Sequence, residues 1–239
     1  PWQYLYYPLS VRAPYVADED MVCLDTPTGS SGFDMPDLAI GRLPATSASV
    51  ALQLVDQLRT YVDEAPEGVW RNEMVFCADD LQQGPSDLPT EFEHTPQAEV
   101  LANQFMPQSI DIDKVYLYEY GEDCEFDTKP DAKRALLTSW TDGAWLFNYI
   151  GHGGDVVLAD EQVLHAAVVP VLANHGRLPA FGAFSCSVGK FSKPLTQGLA
   201  ESLLRTPTTG ALVAAAATHL TFSGRNARFN TTFLNQLFR

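Results

Sequence analysis

The chain is predicted to be an α/β domain, a mainly parallel sheet with helices on both faces. Three observations lead there. Short runs of large apolar and β-branched residues alternate with stretches of helical periodicity. Each run is strand-sized, and most are stopped abruptly by Gly, Pro, Asp or Ser. Of the 239 residues, 46% are hydrophobic and 19% charged, enough apolar material for a sizeable core.

The elements follow in order. Residues 1–35 read as irregular, with TPTGSSG at 26–32 as a flexible stretch. A short strand is predicted from Leu38 to Gly41, closed by Pro44. Val50, Leu54, Leu58 and Val62 recur at helical spacing and predict a helix near 47–63. EMVFCADD predicts a buried strand over 73–78, stopped by Asp79 and Asp80. Thr95-Pro96 is a helix start, a cap residue before a proline in the first turn, and that helix runs to Phe105. KVYLYEY, 114–120, reads as a strand, and Pro130 opens a helix that ends at Asp142-Gly143. Then come a strand from Trp145 to Ile150, a helix near 161–174, the strand AFGAF at 180–184, a helix from Thr196 to Arg205 and the strand ALVAAAA at 211–217. The chain starts at Pro1 without methionine and ends on a helix-like stretch, so it is expected to be a piece of a longer multidomain protein.

Composition excludes several functions. The net charge is −15, and the 15 basic residues are scattered, which argues against nucleic acid. No apolar run reaches the roughly 18 residues that span a bilayer, so no membrane span is expected. Cys23, Cys77, Cys124 and Cys186 form no C-x-x-C pair, and His165 and His175 have no ligand spacing, so no catalytic or structural metal is expected. Cys77 reads as a small core residue; Cys23 and Cys124 lie in polar surroundings where an exported chain can pair them. Gly151 to Gly154 lacks the lysine of a phosphate loop. Asn230-Thr231-Thr232 matches the glycosylation pattern.

Chemistry concentrates at two strand ends. The strand ending at Ile150 gives way to Gly151-His152-Gly153-Gly154, and the next one gives way to Ser185-Cys186-Ser187. Ligands in parallel α/β sheets bind beyond the carboxyl ends of the strands. If the two strands are neighbours, ~5 Å apart, a thiol and an imidazole flank one crevice. A cysteine beside an imidazolium becomes a nucleophilic thiolate, and glycine-rich backbone supplies N–H donors for an oxyanion. A lone cysteine or histidine is ordinarily a packing residue; it is the pair at matching strand ends that reads as a site. ATHLTFSGRN, 217–226, follows the last strand and should lie at the same edge, with Thr218 and His219 as candidate pocket residues. Asp160 and Glu161 are candidates to orient the His152 loop, to bind calcium or to cap the following helix, capping being the default.

The blocks NYIGHGG…ADE and FSCSVGKF resemble the gingipain-type (C25) family of cysteine peptidases, within the caspase-like clan. PDLAIGRLP and WRNEMVFCADD resemble that family's earlier strands, and the branch most similar includes the cell-surface sortase of the type IX secretion system. The resemblance implies a caspase-like three-layer αβα sandwich over 34–239, after a lead at 1–33 that ends a preceding subdomain. It implies a cysteine endopeptidase acting through a thioester, with His152 as general base and acid and Cys186 as nucleophile. The N–H groups of Gly153 and Cys186 would hold the oxyanion, and Asp79 or Asp80 would be the carboxylate near the histidine. In arginine-specific members an acidic residue selects the substrate; the stretch EFEHTPQAE offers His94 instead, which shapes the site or sits on a surface turn. No cofactor is required by this reading, calcium is compatible with it, and the partner is a protein or peptide substrate. The location implied is secreted or at the bacterial cell surface, associated with the outer membrane. Two alternatives stand beside it: a sortase-type transpeptidase of a secretion system acting on C-terminal signal domains, and an inactive caspase-like binding domain of a surface protein.

Overall fold

A computed structural model describes residues 2–4, 14–16, 37–80, 94–121, 123, 128–193 and 195–238. Cys23, Cys124 and the 26–32 stretch lie outside these. The chain divides into two compact units, Pro1–Pro44 and Ala45–Arg239.

In the first unit β1 (Trp2–Tyr4) pairs antiparallel with β2 (Pro14–Val16), so a region read as irregular holds a two-stranded ribbon. The strand predicted at Leu38–Gly41 is not formed. A strand needs a ladder partner for its N–H and C=O groups, and no strand pairs with this segment among the described residues.

The second unit carries a five-stranded, wholly parallel sheet. Its elements are α1 (Ala48–Glu64), β3 (Glu73–Ala78), α2 (His94–Gln104), β4 (Asp111–Tyr116), α3 (Pro130–Asp142) and β5 (Leu146–Ile150), then β6 (Gly153–Gly154), β7 (Val157–Leu158) and β8 (Leu164–His165), then β9 (Ala180–Phe184), α4 (Leu199–Arg205), β10 (Val213–Ala216) and α5 (Ser223–Leu237). The spatial order is β10-β9-β5-β3-β4, and β6, β7 and β8 form a small antiparallel sheet.

Alternation along the strands builds two cores. Val75 and Cys77 of β3, Phe147 and Tyr149 of β5, and Phe181 and Ala183 of β9 point to one face, where Trp140 of α3 and Leu199 and Leu203 of α4 pack. Met74, Phe76, Ala78, Leu146, Ile150 and Phe184 point to the other, against Ala98 and Leu101 of α2 and Leu234 of α5. The result is three layers, helix on sheet on helix. The Trp140 and Phe147 rings lie 4.3 Å apart, and each such buried side chain contributes ~2 kcal/mol of apolar transfer.

Two helices differ from the sequence pattern. The one expected at 161–174 is a 3-10 turn over Ala166–Val171, because Pro170 lacks an N–H and three valines crowd the segment. His165 stands at its start, its Nδ1 accepting from Ala167 N–H at 3.0 Å, and Glu161 caps no helix. In α1 the inward stripe includes Gln57, whose Nε2 donates to Ala211 C=O at 3.3 Å, while Val62 is exposed.

The face toward α5 holds one buried polar pair. Asn148 and Asn230 exchange two hydrogen bonds, Nδ2 to Oδ1, at 2.7 and 2.8 Å. Asn230 is fully buried inside α5, so the Asn-Thr-Thr pattern is not an accessible glycosylation acceptor. Asn230→Ala leaves the Asn148 amide buried without its partner. We expect it to lower the unfolding free energy by ~2 kcal/mol, read as a smaller urea midpoint at unchanged slope; a loss under about 0.5 kcal/mol would contradict this account of the pair.

Candidate active site

Parallel pairing sets the rim. Ala78 pairs with Ile150, and Ile150 with Phe184. His152 and Cys186 each stand two residues past one pair of strand ends, and Asp79 and Asp80 follow β3 beside them. Alternation carried past the ends puts residues 152 and 186 on the face of Ile150 and Phe184. Their contacts agree. The His152 ring meets His94 at the start of α2, with centroids 5.6 Å apart and planes at 86°. The Cys186 Sγ meets Thr221, just before α5. The N-termini of α2 and α5 thus both lie at this rim, where helix dipoles favour negative charge.

The backbone of His152 is held from both sides. Its N–H donates to Asp79 Oδ2 at 2.8 Å, and its C=O accepts from the Tyr149 hydroxyl at 2.5 Å and from Ala159 N–H at 3.1 Å. Glycine makes this packing fit. A Cβ on Gly151 would fall 2.3 Å from Asp79 Cβ, and one on Gly153 would fall 2.6 Å from Ser185 Oγ and 3.0 Å from Cys186 O. The histidine and cysteine loops therefore touch through Gly153. The Ala159–His152 bond makes Gly153–Leu158 the non-hydrogen-bonded pair of its hairpin, so the ladder does not consume the Gly153 N–H.

Asp79 is buried, and burial lifts its carboxyl from the ordinary 3.8 to about 7; the hydrogen bond from His152 N–H opposes this and the charge of Asp80 adds to it. Asp80 itself pairs with the buried Lys129 ammonium, which also donates to Leu117 C=O at 3.0 Å. Glu161 joins them: Asp79, Asp80 and Glu161 each bring a carboxylate oxygen within 4.8 Å of the others. Burial lifts Glu161 to about 7 as well. Calcium takes roughly six to eight oxygens. Among the described residues this cluster offers three carboxylates, one of them paired with the Lys129 ammonium.

On the other side of the rim, Cys186 precedes Ser187, whose φ of 58° turns the chain through the left-handed region. Ser187 N–H donates to His219 C=O at 3.1 Å, which ties the cysteine turn to the segment after β10. Thr218 and His219 are half-buried there, and His219 Nδ1 accepts from Leu220 N–H at 2.6 Å. His94 is not on a surface turn: it is buried at the first residue of α2, and burial with the nearby His152 charge pushes its imidazole down to about 4. Tyr149, Lys129, Thr221 and Asn226 were not singled out by sequence. Tyr149 and Lys129 carry no local signal, but Thr221 and Asn226 fall within the 217–226 stretch expected at this edge.

A model of peptidase family C25 matches residues 6–239. No curated protein matches the chain. Among solved structures, the Arg-specific cysteine proteinase gingipain R (RgpB) is 23% identical with a TM-score of 0.68, over 84% of this chain and 45% of that one. The complex of the RgpB pro- and mature domains of Porphyromonas gingivalis is 22% identical with a TM-score of 0.67, over 85% and 46%. A structure described as a protease is 15% identical with a TM-score of 0.69, over 91% and 43%. The chain thus spans less than half the length of these solved relatives, and shares their caspase-like fold.

The Asp79 environment has a measurable consequence. Below pH ~4 the folded and unfolded states both hold this proton; between ~4 and ~7 only the folded state does, so its contribution to stability falls as pH rises. Glu161 adds a decline of the same sign. Asp79→Asn keeps an acceptor for the His152 N–H but removes the first titration. We expect the thermal midpoint of the wild type, relative to D79N, to fall from pH 4 to pH 7 and then to level; parallel curves across this range would overturn the assignment.

Proposed function

Because the chain belongs to peptidase family C25, we propose that it is a cysteine peptidase, with Cys186 as nucleophile and His152 as general base and acid. The observation that carries this reading is the parallel pairing of β5 with β9, which brings residues 152 and 186 to matching positions on one rim. His152 takes the thiol proton, and the sulfur attacks the carbonyl carbon of a peptide bond. The oxygen of the tetrahedral intermediate gains charge, and the N–H groups of Gly153 and Cys186 are the donors available to it. His152 then gives its proton to the leaving amine, and a thioester remains on Cys186. Water, activated by the same imidazole, releases the acid and restores the thiol.

Asp79 acts in this scheme through the His152 main chain, as a positioning residue rather than as a partner in proton transfer. Its hydrogen bond, with those of Tyr149 and Ala159, fixes the peptide unit that carries the imidazole. His94, uncharged at neutral pH, supplies no carboxylate to an arginine side chain, so the arginine preference of the solved relative is not carried over. No helix among the described residues is long and apolar enough to cross a membrane. A protein or peptide substrate, export to the cell surface and further domains beyond this chain belong to the same proposal.

The test is alkylation followed cysteine by cysteine. Cys77 is an internal control, since it is fully buried and burial raises its thiol far above the ordinary range. We expect iodoacetamide to label Cys186 faster than free cysteine at neutral pH, and His152→Ala to slow that labelling at least ~tenfold. Cys186→Ala should cut peptide cleavage by several orders of magnitude without changing the thermal midpoint by more than a few degrees. If the wild-type Cys186 reacts no faster than free cysteine, the chain is not a cysteine peptidase of this design. Trapping the thioester and adding an amine then distinguishes hydrolysis from transpeptidation by whether a new amide forms.

A further inference from the structure

Among the described residues, Cys186 makes its side-chain hydrogen bonds to Thr221 alone. Thr221 N–H donates to Sγ at 3.3 Å, and the thiol faces Thr221 C=O at 3.5 Å and Thr221 Oγ1 at 3.6 Å. The Thr221 hydroxyl is itself held. Its oxygen accepts from Asn226 Nδ2–H at 2.8 Å, and its proton goes to Ser185 C=O at 3.2 Å. Asn226 fills one lone pair of that oxygen as a donor, which leaves the hydroxyl its single proton to give. While the sulfur is a thiol, that proton can rest on Ser185 C=O and the S–H can point to Thr221. Once the sulfur is an anion, the hydroxyl can rotate to donate to it beside the N–H. The same residue serves both states without moving.

Asn226 also links this contact to the other half of the site. It lies in the first turn of α5, four residues before Asn230, and residues four apart share a helix face. Asn230 grips Asn148 of β5, the strand that delivers His152. One helix face therefore reaches the nucleophile through Thr221 and the strand of the base through Asn148.

We propose that Thr221, held by Asn226, is the positioning residue for Cys186, and that α5 fixes the nucleophile and the base relative to each other. This rests on the reading of Cys186 as nucleophile. The experiment measures the second-order rate constant for alkylation of Cys186 in the full chain, together with the thermal midpoint, for wild type, Thr221→Val, Thr221→Ser, Asn226→Ala and the Thr221→Val/Asn226→Ala double variant. We expect T221V and N226A each to react about tenfold more slowly, the factor that an ordinary hydrogen bond supplies. T221S should return to within about twofold of wild type, and the double variant should be no more than about twofold slower than the slower single, because the two side chains act as one unit. N226A and T221S keep the comparison open if T221V fails to fold. A fast wild type with T221V and N226A within twofold of it overturns the proposal alone, as does a T221S that is as slow as T221V. A wild-type Cys186 no more reactive than free cysteine overturns the peptidase reading and this proposal with it.

Discussion

The parallel ladder between β5 and β9 is the constraint on which the site depends. With Ile150 opposite Phe184, the chain leaves the two strands in step, and His152 and Cys186 each follow two residues later. A slip of one residue would send one of them to the opposite face of the sheet, because side chains alternate. The register is hard to slip. Leu146, Phe147, Tyr149 and Ile150 are all buried, as are Phe181, Ala183 and Phe184, so each face of the sheet loses apolar contacts in any other alignment. Apolar burial thus positions a polar site that it does not itself touch.

What the ladder does not fix, short polar contacts do. Beyond Ile150 the chain has no parallel partner to follow, and three hydrogen bonds take over at His152. Their cost is visible in Asp79. A carboxyl taken out of water beside another carboxylate resists ionisation, yet its charged form is the better acceptor for the His152 N–H. Lys129 offsets part of the negative charge through Asp80. Behind the histidine there is consequently a compact acidic cluster, whereas the cysteine side is built from neutral groups, Thr221 and Asn226. The two halves of the site are supported by different chemistry, and α5 and the sheet join them.

Much of this was legible in the residues. The strands β3, β5 and β9 follow from dense apolar runs cut off by Asp79, Gly151 and Ser185, and the sheet's C-terminal edge follows from strand–helix alternation. The strand AFGAF at 180–184 ends as read. The 161–174 segment misled because its apolar spacing suits a helix while its valines and Pro170 do not. Leu38–Gly41 misled because a strand-like sequence becomes a strand only where another chain segment pairs with it. His94 could be read as a surface-turn residue because a polar side chain at a helix start is usually solvated; here it is buried, its ring against that of His152.

The sequence by itself determined the fold class, the presence of a histidine and a cysteine at two strand ends, and the sheet edge on which both lie, because periodicity and strand-stopping residues are local properties. The tertiary structure alone decided which partners hold them. That Asp79 bonds to the main chain of His152, that Tyr149 turns its hydroxyl to the same peptide unit, and that Asn230 and Asn226 reach Asn148 and Thr221 from one helix face all depend on distances between segments tens of residues apart. Such contacts leave no periodic trace in a chain. They arise only when packed layers bring buried polar groups together and oblige them to satisfy one another.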